Sequence, residues 1–293
     1  MSTDAYHILV IYNPAAQGGS SVKIWERYLQ FLNDNMLRYH CYTTVGNNDN
    51  EPIHQLVNSN DFNLVSILGG DGTINLAINA LPHLNIPIHL IPAGSGNDLA
   101  KMIYPNGIPS YTHLFQYVLR EKYDTKYLDI WRCNDQLFAN GFGCGFDGSI
   151  AYDTKFKKGV LGTKTKYWTE IVKHIFFYKS PDISVNGEAY ATFMLSAANG
   201  SVYGGDFKVA PNANISDGKL DIVRIKKVWV PLRLFYLPLV LMGKHLSTSI
   251  AEHEQLDQLT IVANKPIPAH LDGEPMSEKE YMISLEGKVK VLC

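Results

Sequence analysis

Gly69-Gly70-Asp71-Gly72-Thr73 joins two periodicities that only one local fold reconciles. Before it, Leu64-Val65-Ser66-Ile67-Leu68 is a short apolar run that reads as a buried strand. After it, Ile74, Ala77, Ile78 and Leu81 recur at i, i+3, i+4 and i+7, one face of a helix. The chain here runs strand, glycine turn, helix. Glycines let a backbone approach a ligand closely and take φ > 0 without a Cβ penalty. The helix N-terminus that follows offers unpaired N–H groups and a positive dipole end, which suits a phosphate. Asp71 would repel a bare phosphate, and makes sense once a divalent cation lies between them. The turn predicts a metal-bound nucleotide rather than simple anion binding.

The pattern recurs on either side. His7 to Tyr12 is an apolar strand followed by the small-residue loop Asn13-Pro14-Ala15-Ala16-Gln17-Gly18-Gly19, and Trp25, Tyr28, Leu29 and Leu32 mark the next helix. Ile88 to Ile91 is another buried strand, followed by Pro92-Ala93-Gly94-Ser95-Gly96-Asn97-Asp98 and a helix through Leu99, Ala100, Met102 and Ile103. A further helix is predicted from Leu114, Tyr117, Val118 and Glu121. Strands alternating with helices imply a doubly wound, Rossmann-like parallel sheet over residues 1–127. Ligands of such sheets bind beyond the carboxyl ends of the strands, where these three loops gather. No P-loop and no protein-kinase signature is present.

From about Tyr127 the texture changes to short β-like runs divided by turn dipeptides, such as Ile183 to Val185 before Asn186-Gly187. This predicts a second, mainly antiparallel β-sandwich-like domain over 128–285. Two helical stretches interrupt it: Lys164 to Tyr178, and Val230 to Met242 broken near Pro238. Seven lysines (155, 157, 158, 164, 166, 173 and 179) stand against Asp153 and Glu170 between Ala151 and Ser180, interleaved with aromatics. They make either a solvated helix face or a surface for anionic lipid headgroups, each lysine then contributing on the order of 1 kcal/mol.

With 26 basic and 28 acidic residues among 293, the net charge of −2 leaves no basic excess for nucleic acid. Met1 to Asp4 lacks the regions of a signal peptide, and Val228 to Met242 is too short to span a membrane, so a cytoplasmic protein is expected. Cys41, Cys133, Cys144 and Cys293 have no C-x-x-C spacing and read as reduced thiols. The ten histidines form no H-x-x-x-H pair, so no structural zinc is expected.

Asn13-Pro14, G-G-D-G-T at 69–73, Gly94-Ser95-Gly96-Asn97-Asp98 and Asp272-Gly273-Glu274-Pro275 together resemble the diacylglycerol kinase catalytic family, nearest its soluble bacterial diacylglycerol and lipid kinases. Gly141 to Asp147 and Asp217 to Asp221 extend the resemblance over nearly the whole chain, and it implies that the C-terminal segment at about 286–293 returns to the first domain. It implies an ATP- and Mg²⁺-dependent lipid kinase that phosphorylates the hydroxyl of diacylglycerol to give phosphatidic acid, works at a membrane surface and in some members forms homodimers. It implies that Asn13, Pro14, Ala15, Ala16, Gln17, Gly69, Gly70, Asp71, Gly72, Thr73, Ile74 and Asn75 line the ATP site, with Thr44 and Ser95 touching the nucleotide. By the same likeness Asp71 acts on the catalytic magnesium, Asp98 organises metal and acceptor, and Glu274 is the general base. Asp217 with the main-chain oxygens of Asn214 and Lys219 would hold a second magnesium. Ser95-Gly96 and Lys101 depart from the common bacterial pattern, which bears on the choice of lipid: phosphatidylglycerol and a sphingoid base are alternative acceptors, and a non-catalytic nucleotide- or lipid-binding regulator is the rival class. Plain structural uses stand beside these roles: Asp71 as cap of the helix at 74–81, Asp98 as a cap, Glu274 and Asp217 as turn acids, Asp147 and Asp272 as structural residues.

Overall fold

In the computed structural model, which describes residues 7–81, 84–119, 124–156, 163–204 and 207–293, the apolar runs become strands buried on both faces. Strands β1 (His7–Tyr12), β2 (Arg38–Thr43), β3 (Leu64–Gly69) and β4 (Ile88–Pro92) pair in parallel in the order β2-β1-β3-β4. Every residue of β3 and β4 is buried, as expected of a parallel sheet covered by helices on both sides. The covering helices are α1 (Ser21–Asp34), α2 (Asn50–Asn58), α3 (Asp71–Ala80), α4 (Asp98–Ile103) and α5 (Tyr111–Gln116). α1 buries Ile24, Tyr28 and Leu32, four residues apart along one face. α3 starts at Asp71, three residues before its apolar stripe. The helix expected through Val118 instead ends at Gln116 and tightens into a 3-10 turn over Tyr117–Leu119; Glu121 lies outside the described residues. Val291 and Leu292 pair in parallel with Ile88 and His89, placing the chain end beside β4.

The chain divides into two units, Met1–Ile130 with Gly287–Cys293, and Trp131–Glu286. β5 (Thr125–Cys133) leads into the second, followed by β6 (Gln136–Phe138), β7 (Gly141–Gly145), α6 (Phe146–Phe156), α7 (Thr163–Phe177), β8 (Asp182–Val185), β9 (Glu188–Ala198), β10 (Leu220–Lys226), α8 (Val230–Leu241), β11 (Ala251–Leu256), β12 (Gln258–Leu271) and β13 (Glu274–Leu292). The pairings of β5 with β6, of β7 with β9 and β12, of β8 with β9 and β12, of β9 with β10, of β10 with β11 and of β12 with β13 are antiparallel. β7 and β8 both bridge β9 to β12, β7 near residues 194–198 and 269–271, β8 near 189–191 and 261–263. The two long strands are thus tied at both ends around one core.

Alternation along the strands gives that sheet two apolar faces. Leu195 and Ala197 of β9 and Leu220 and Ile222 of β10 join Trp131, Phe142 and Tyr281 inside the sandwich. Met194, Ala198, Val223 and Ile225 face the other way, onto Ile150 of α6, Ile171 and Ile175 of α7 and Val240 of α8. Asn186 and Gly187 take φ of 49° and 89° between β8 and β9, the two-residue turn that Asn-Gly predicts. α8 is not broken at Pro238. It runs to Leu241, and the N–H of Met242 reaches the Pro238 carbonyl oxygen at 3.0 Å. All four cysteines are free. Among the described residues no helix is long and apolar enough to cross a membrane.

Candidate active site

Three turns at the carboxyl ends of β1, β3 and β4 are locked together by backbone contacts that only small residues permit. The Ala93 N–H donates to the Gly69 carbonyl oxygen at 2.7 Å, and that of Asn13 to Leu68 at 3.0 Å. A Cβ on Gly94 would lie 2.5 Å from the Gly70 Cα and 2.8 Å from Asn97 Oδ1. Gly70 and Gly94 are therefore required first for the two turns to touch. Asn97 takes the left-handed conformation at φ 54°, and its amide closes a ring on Gly94, Oδ1 accepting from the N–H at 2.8 Å and Nδ2 donating to the carbonyl at 2.9 Å. Asn13 Nδ2 donates to Thr73 Oγ1 at 3.0 Å, which ties the β1 loop to the start of α3.

Asp71 is the first residue of α3, yet its carboxylate reaches another helix. Its two oxygens accept the N–H groups of Asp98 and Leu99, each at 3.1 Å, at the first turn of α4. The acid of one glycine turn thus caps the helix that follows the other. Asp98 begins α4, is buried, and meets Lys101 Nζ at 3.0 Å. A Cβ on Gly96 would lie 3.2 Å from Asp71 Oδ2 and 3.7 Å from Asp98 Oδ2. The two carboxylates converge on the one side-chain position left vacant.

The remaining residues of the expected nucleotide site are less uniform. Pro14 is half-buried, Ala15 and Gln17 are exposed on the loop after β1, where Gln17 takes φ 50°, and Ala16 is buried. Ser95 and Gly72 are exposed, Asn75 half-buried. Ile74 is buried in the core, and its N–H and that of Thr73 already reach the Gly70 carbonyl oxygen at 3.1 and 2.9 Å. Those two residues shape the turn, and α3 has fewer donors to offer a phosphate than its sequence suggests. Thr44 is buried at the end of β2, its N–H on the Tyr12 carbonyl oxygen at 2.8 Å. Asp49, which no sequence pattern singled out, shapes that loop: it accepts from the Tyr42 hydroxyl and from the N–H groups of Val45 and Gly46 at 2.8 to 2.9 Å.

In the second unit Asp272 and Gly273, at φ 51° and 88°, form the two-residue turn between β12 and β13. The Asp272 carboxylate accepts the N–H groups of Ala139, Asn140 and Gly141 at 2.8 to 2.9 Å, so this acid holds the turn in place. Glu274, the next residue but one, is about half exposed and pairs with Lys155 of α6. Asn214, Asp217 and Lys219 lie in the turn before β10. Asn214 Oδ1 accepts from the Ser216 N–H and Asp217 Oδ1 from the Lys219 N–H, at 3.2 and 3.0 Å.

The same unit holds an apolar pocket walled by α6, α7, α8 and the sheet face described above. Phe146, Ile150, Ile171, Phe193, Tyr236 and Val240 give its character, and Asp147 and Arg233 are its charged groups. Burial lowers the pKa of Arg233, whose guanidinium is met by the main-chain carbonyl oxygens of Ile175 and Tyr178 at 2.9 and 3.1 Å. Asp147 faces His270 and the Tyr203 hydroxyl at 3.6 and 3.3 Å, in space that a side chain on Gly143 would fill. The Gly143-x-x-x-Asp147 spacing is visible in the sequence, but the pocket comes from elements more than a hundred residues apart.

Residues 7–126 match the model of the diacylglycerol kinase catalytic domain, and residues 143–292 that of the YegS C-terminal, NAD kinase beta sandwich-like domain. The chain belongs to the diacylglycerol kinase catalytic family. It is 25% identical to the diacylglycerol kinase of Bacillus subtilis over 222 residues, 73% of this chain and 72% of the relative. It is 30% identical to a probable YegS-like lipid kinase of Yersinia enterocolitica over 229 residues, 74% of each. The fold matches a crystal structure of a diacylglycerol kinase from Bacillus anthracis with a TM-score of 0.68 at 22% identity, covering 98% of this chain and 96% of that one. The protein is a lipid kinase of this family, an N-terminal α/β domain joined to a β-sandwich-like one.

Proposed function

We propose that the protein transfers the γ-phosphoryl group of ATP to the hydroxyl of diacylglycerol, giving phosphatidic acid and ADP. The observation that carries this reading is the convergence of Asp71 and Asp98 beside three interlocked glycine-rich turns. Mg²⁺ fits there: both donors are carboxylate oxygens, and Gly96 leaves open the space a Cβ would fill. Asp71 and Asp98 would hold it. When bound it neutralises phosphate charge and orients the transferring group. Asn13 to Gln17, Thr44, the turn from Gly69 to Asn75 and Ser95 would line the nucleotide, with Ile74 and Thr73 acting through the main chain they shape. Asn214, Asp217 and Lys219 offer oxygens in one turn and would hold a second, structural Mg²⁺.

The acceptor hydroxyl is a weak nucleophile until its proton is taken as it attacks. Glu274 would take that proton, contributing about 10²–10⁴-fold. Lys155 keeps the carboxylate in one orientation. The apolar pocket would take an acyl chain, and Asp147 in its wall could accept a hydrogen bond from a lipid hydroxyl. Membrane contact is supported by Phe176 and Phe177 at the end of α7 and by Trp229, Leu232, Leu234 and Phe235 of the α8 region, all exposed, with Lys173, Lys179 and Lys227 nearby in sequence. Of the lysine-rich segment, Lys157 and Lys158 lie outside the described residues, as do the side chains of Lys164 and Lys166.

The test is purified protein with labelled ATP, Mg²⁺ and a panel of acceptors: diacylglycerol, phosphatidylglycerol and a sphingoid base in mixed micelles. Transfer to diacylglycerol in preference to the others is expected. Preference for another lipid moves the assignment to that lipid, and no transfer to any would refute kinase activity. Glu274→Gln should keep nucleotide binding and lose turnover by about two orders of magnitude.

A further inference from the structure

Helices α6 and α7 carry a second cluster of metal-ligating side chains, outside the residues assigned to phosphoryl transfer. Glu170 and His174 stand one turn apart on α7, and Asp153 of α6 faces them; one donor atom from each lies within 4.8 Å of the other two. His174 is only 9% exposed, so its ring is committed to the seam between the helices. Nδ1 sits 2.8 Å from the Glu170 main-chain carbonyl oxygen, which can only accept, so Nδ1 carries a proton. Nε2 then points at Asp153 Oδ2, 3.4 Å away. A neutral ring would turn a lone pair onto a carboxylate. A cation shared between the ring nitrogen and the carboxylate resolves that contact. An imidazole whose other N–H is anchored on a main-chain carbonyl is the arrangement metal-bound histidines take. Lys173 Nζ, 3.1 Å from Glu170 Oε2 and 3.8 Å from Asp153 Oδ2, neutralises the acids meanwhile, and its half-exposed stem lets the ammonium swing to solvent.

We propose that Asp153, Glu170 and His174 form a binding site for a first-row transition ion of the Zn²⁺ class that clamps α6 to α7. One imidazole nitrogen and two carboxylates, with water as fourth ligand, suit Zn²⁺. Mg²⁺ prefers all-oxygen sets, so the site is chemically separate from one that serves ATP. The ion would act on the lipid half of the enzyme. α6 contributes Ile150 and α7 contributes Ile171 and Ile175 to the apolar pocket, and Lys155, two residues beyond Asp153, pairs with Glu274. A clamp here fixes the wall of the pocket and the partner of that glutamate together. The binding itself does not depend on the identity of the lipid.

The experiment titrates the chelator-stripped full-length protein with Co²⁺, in excess Mg²⁺, and follows the visible d–d bands. Zn²⁺ then displaces the cobalt against a chromophoric chelator. One equivalent is expected to bind. His174→Ala should weaken it by about 100-fold or more, and Asp153→Asn and Glu170→Gln by about tenfold or more. Lys173→Ala, which removes the competing ammonium, should bind at least as tightly as the native chain. Absence of saturable binding to the native protein overturns the proposal, as does native affinity in His174→Ala. Should His174→Ala lose its circular dichroism, the two carboxylate variants decide, and native affinity in both overturns it equally.

Discussion

Asp71→Asn separates two jobs given to one carboxylate. Each oxygen of Asp71 accepts one N–H at the start of α4, from Asp98 and from Leu99, both at 3.1 Å. Asparagine has the same size but only one acceptor oxygen. Its NH₂ group would face the second N–H, donor against donor. One charge-assisted bond becomes neutral, and the other is lost, leaving a part-buried N–H unpaired. Together these cost about 2 kcal/mol. α4 has only six residues and depends on its cap, so the loss should appear locally. Amides of Lys101 and Tyr104, whose N–H groups close α4 onto Asn97 and Ala100, are expected to exchange with deuterium about 30-fold faster, while amides of β1 and β3 keep their protection. Turnover with MgATP should fall by about two orders of magnitude, because the charge proposed to hold the metal is gone. Unchanged exchange at 101 and 104 would refute the capping role. Faster exchange with native turnover would refute the metal role and leave Asp71 as a structural acid.

Three further outcomes follow from contacts on the same elements. Gly94→Ala places a Cβ 2.5 Å from the Gly70 Cα, so the turns must part; destabilisation of about 1–3 kcal/mol and weaker ATP binding are expected from denaturant titration and from nucleotide binding by calorimetry. Asp272→Ala strips three N–H groups of their acceptor, which should lower stability by about 3 kcal/mol or more and reduce turnover even though Glu274 is intact; native stability would contradict the role given to this acid. His89, enclosed between Ser66 and the Leu114 carbonyl oxygen, has its pKa lowered to about 4 by burial. The unfolded chain therefore takes up the proton first as pH falls below 6.5, and the contribution of the neutral ring is lost between 6.5 and 4. Unfolding free energy should drop by about 2 kcal/mol from pH 7 to pH 5, and His89→Gln should remove that part of the slope.

The parallel domain was legible because its constraints are local. An apolar run, a glycine turn and a 3.6-residue stripe lie next to one another in the chain, and Leu64 to Leu81 carries all three. What the local pattern misstates is why the glycines are there. Gly70 and Gly94 read as phosphate-facing residues, whereas their lack of Cβ is needed for two backbones to meet, a contact between positions 24 residues apart that no window reveals. Asp71 shows the same limit. Spacing alone suggested a cap on its own helix, and the sheet order, which sets β3 beside β4, brings its carboxylate to the start of α4. The edge strand β2 and the helix α2 escaped notice because Arg38 to Thr43 mixes polar and apolar residues without clean alternation, as a half-exposed edge does.

In the second unit, turn dipeptides located the hairpins but not what they enclose. Asn186-Gly187 and Asp272-Gly273 take the backbone that their sequences favour. The strands between them bury both faces, one inside the sandwich and one under α6, α7 and α8, so the alternation that marks a half-solvated strand is erased where the pocket forms. Arg233 illustrates the consequence. In sequence it interrupts an apolar stretch; in the fold it is buried, as Val240 is, while Leu232, Leu234 and Phe235 of the same helix are exposed. A helix that buries a charge is stable only if polar groups meet it, as the main-chain carbonyls of Ile175 and Tyr178 do here. Its outer face is left as apolar surface for which water is a poor solvent. This exposed apolar face beside a buried arginine becomes readable only when the partner of the arginine is known.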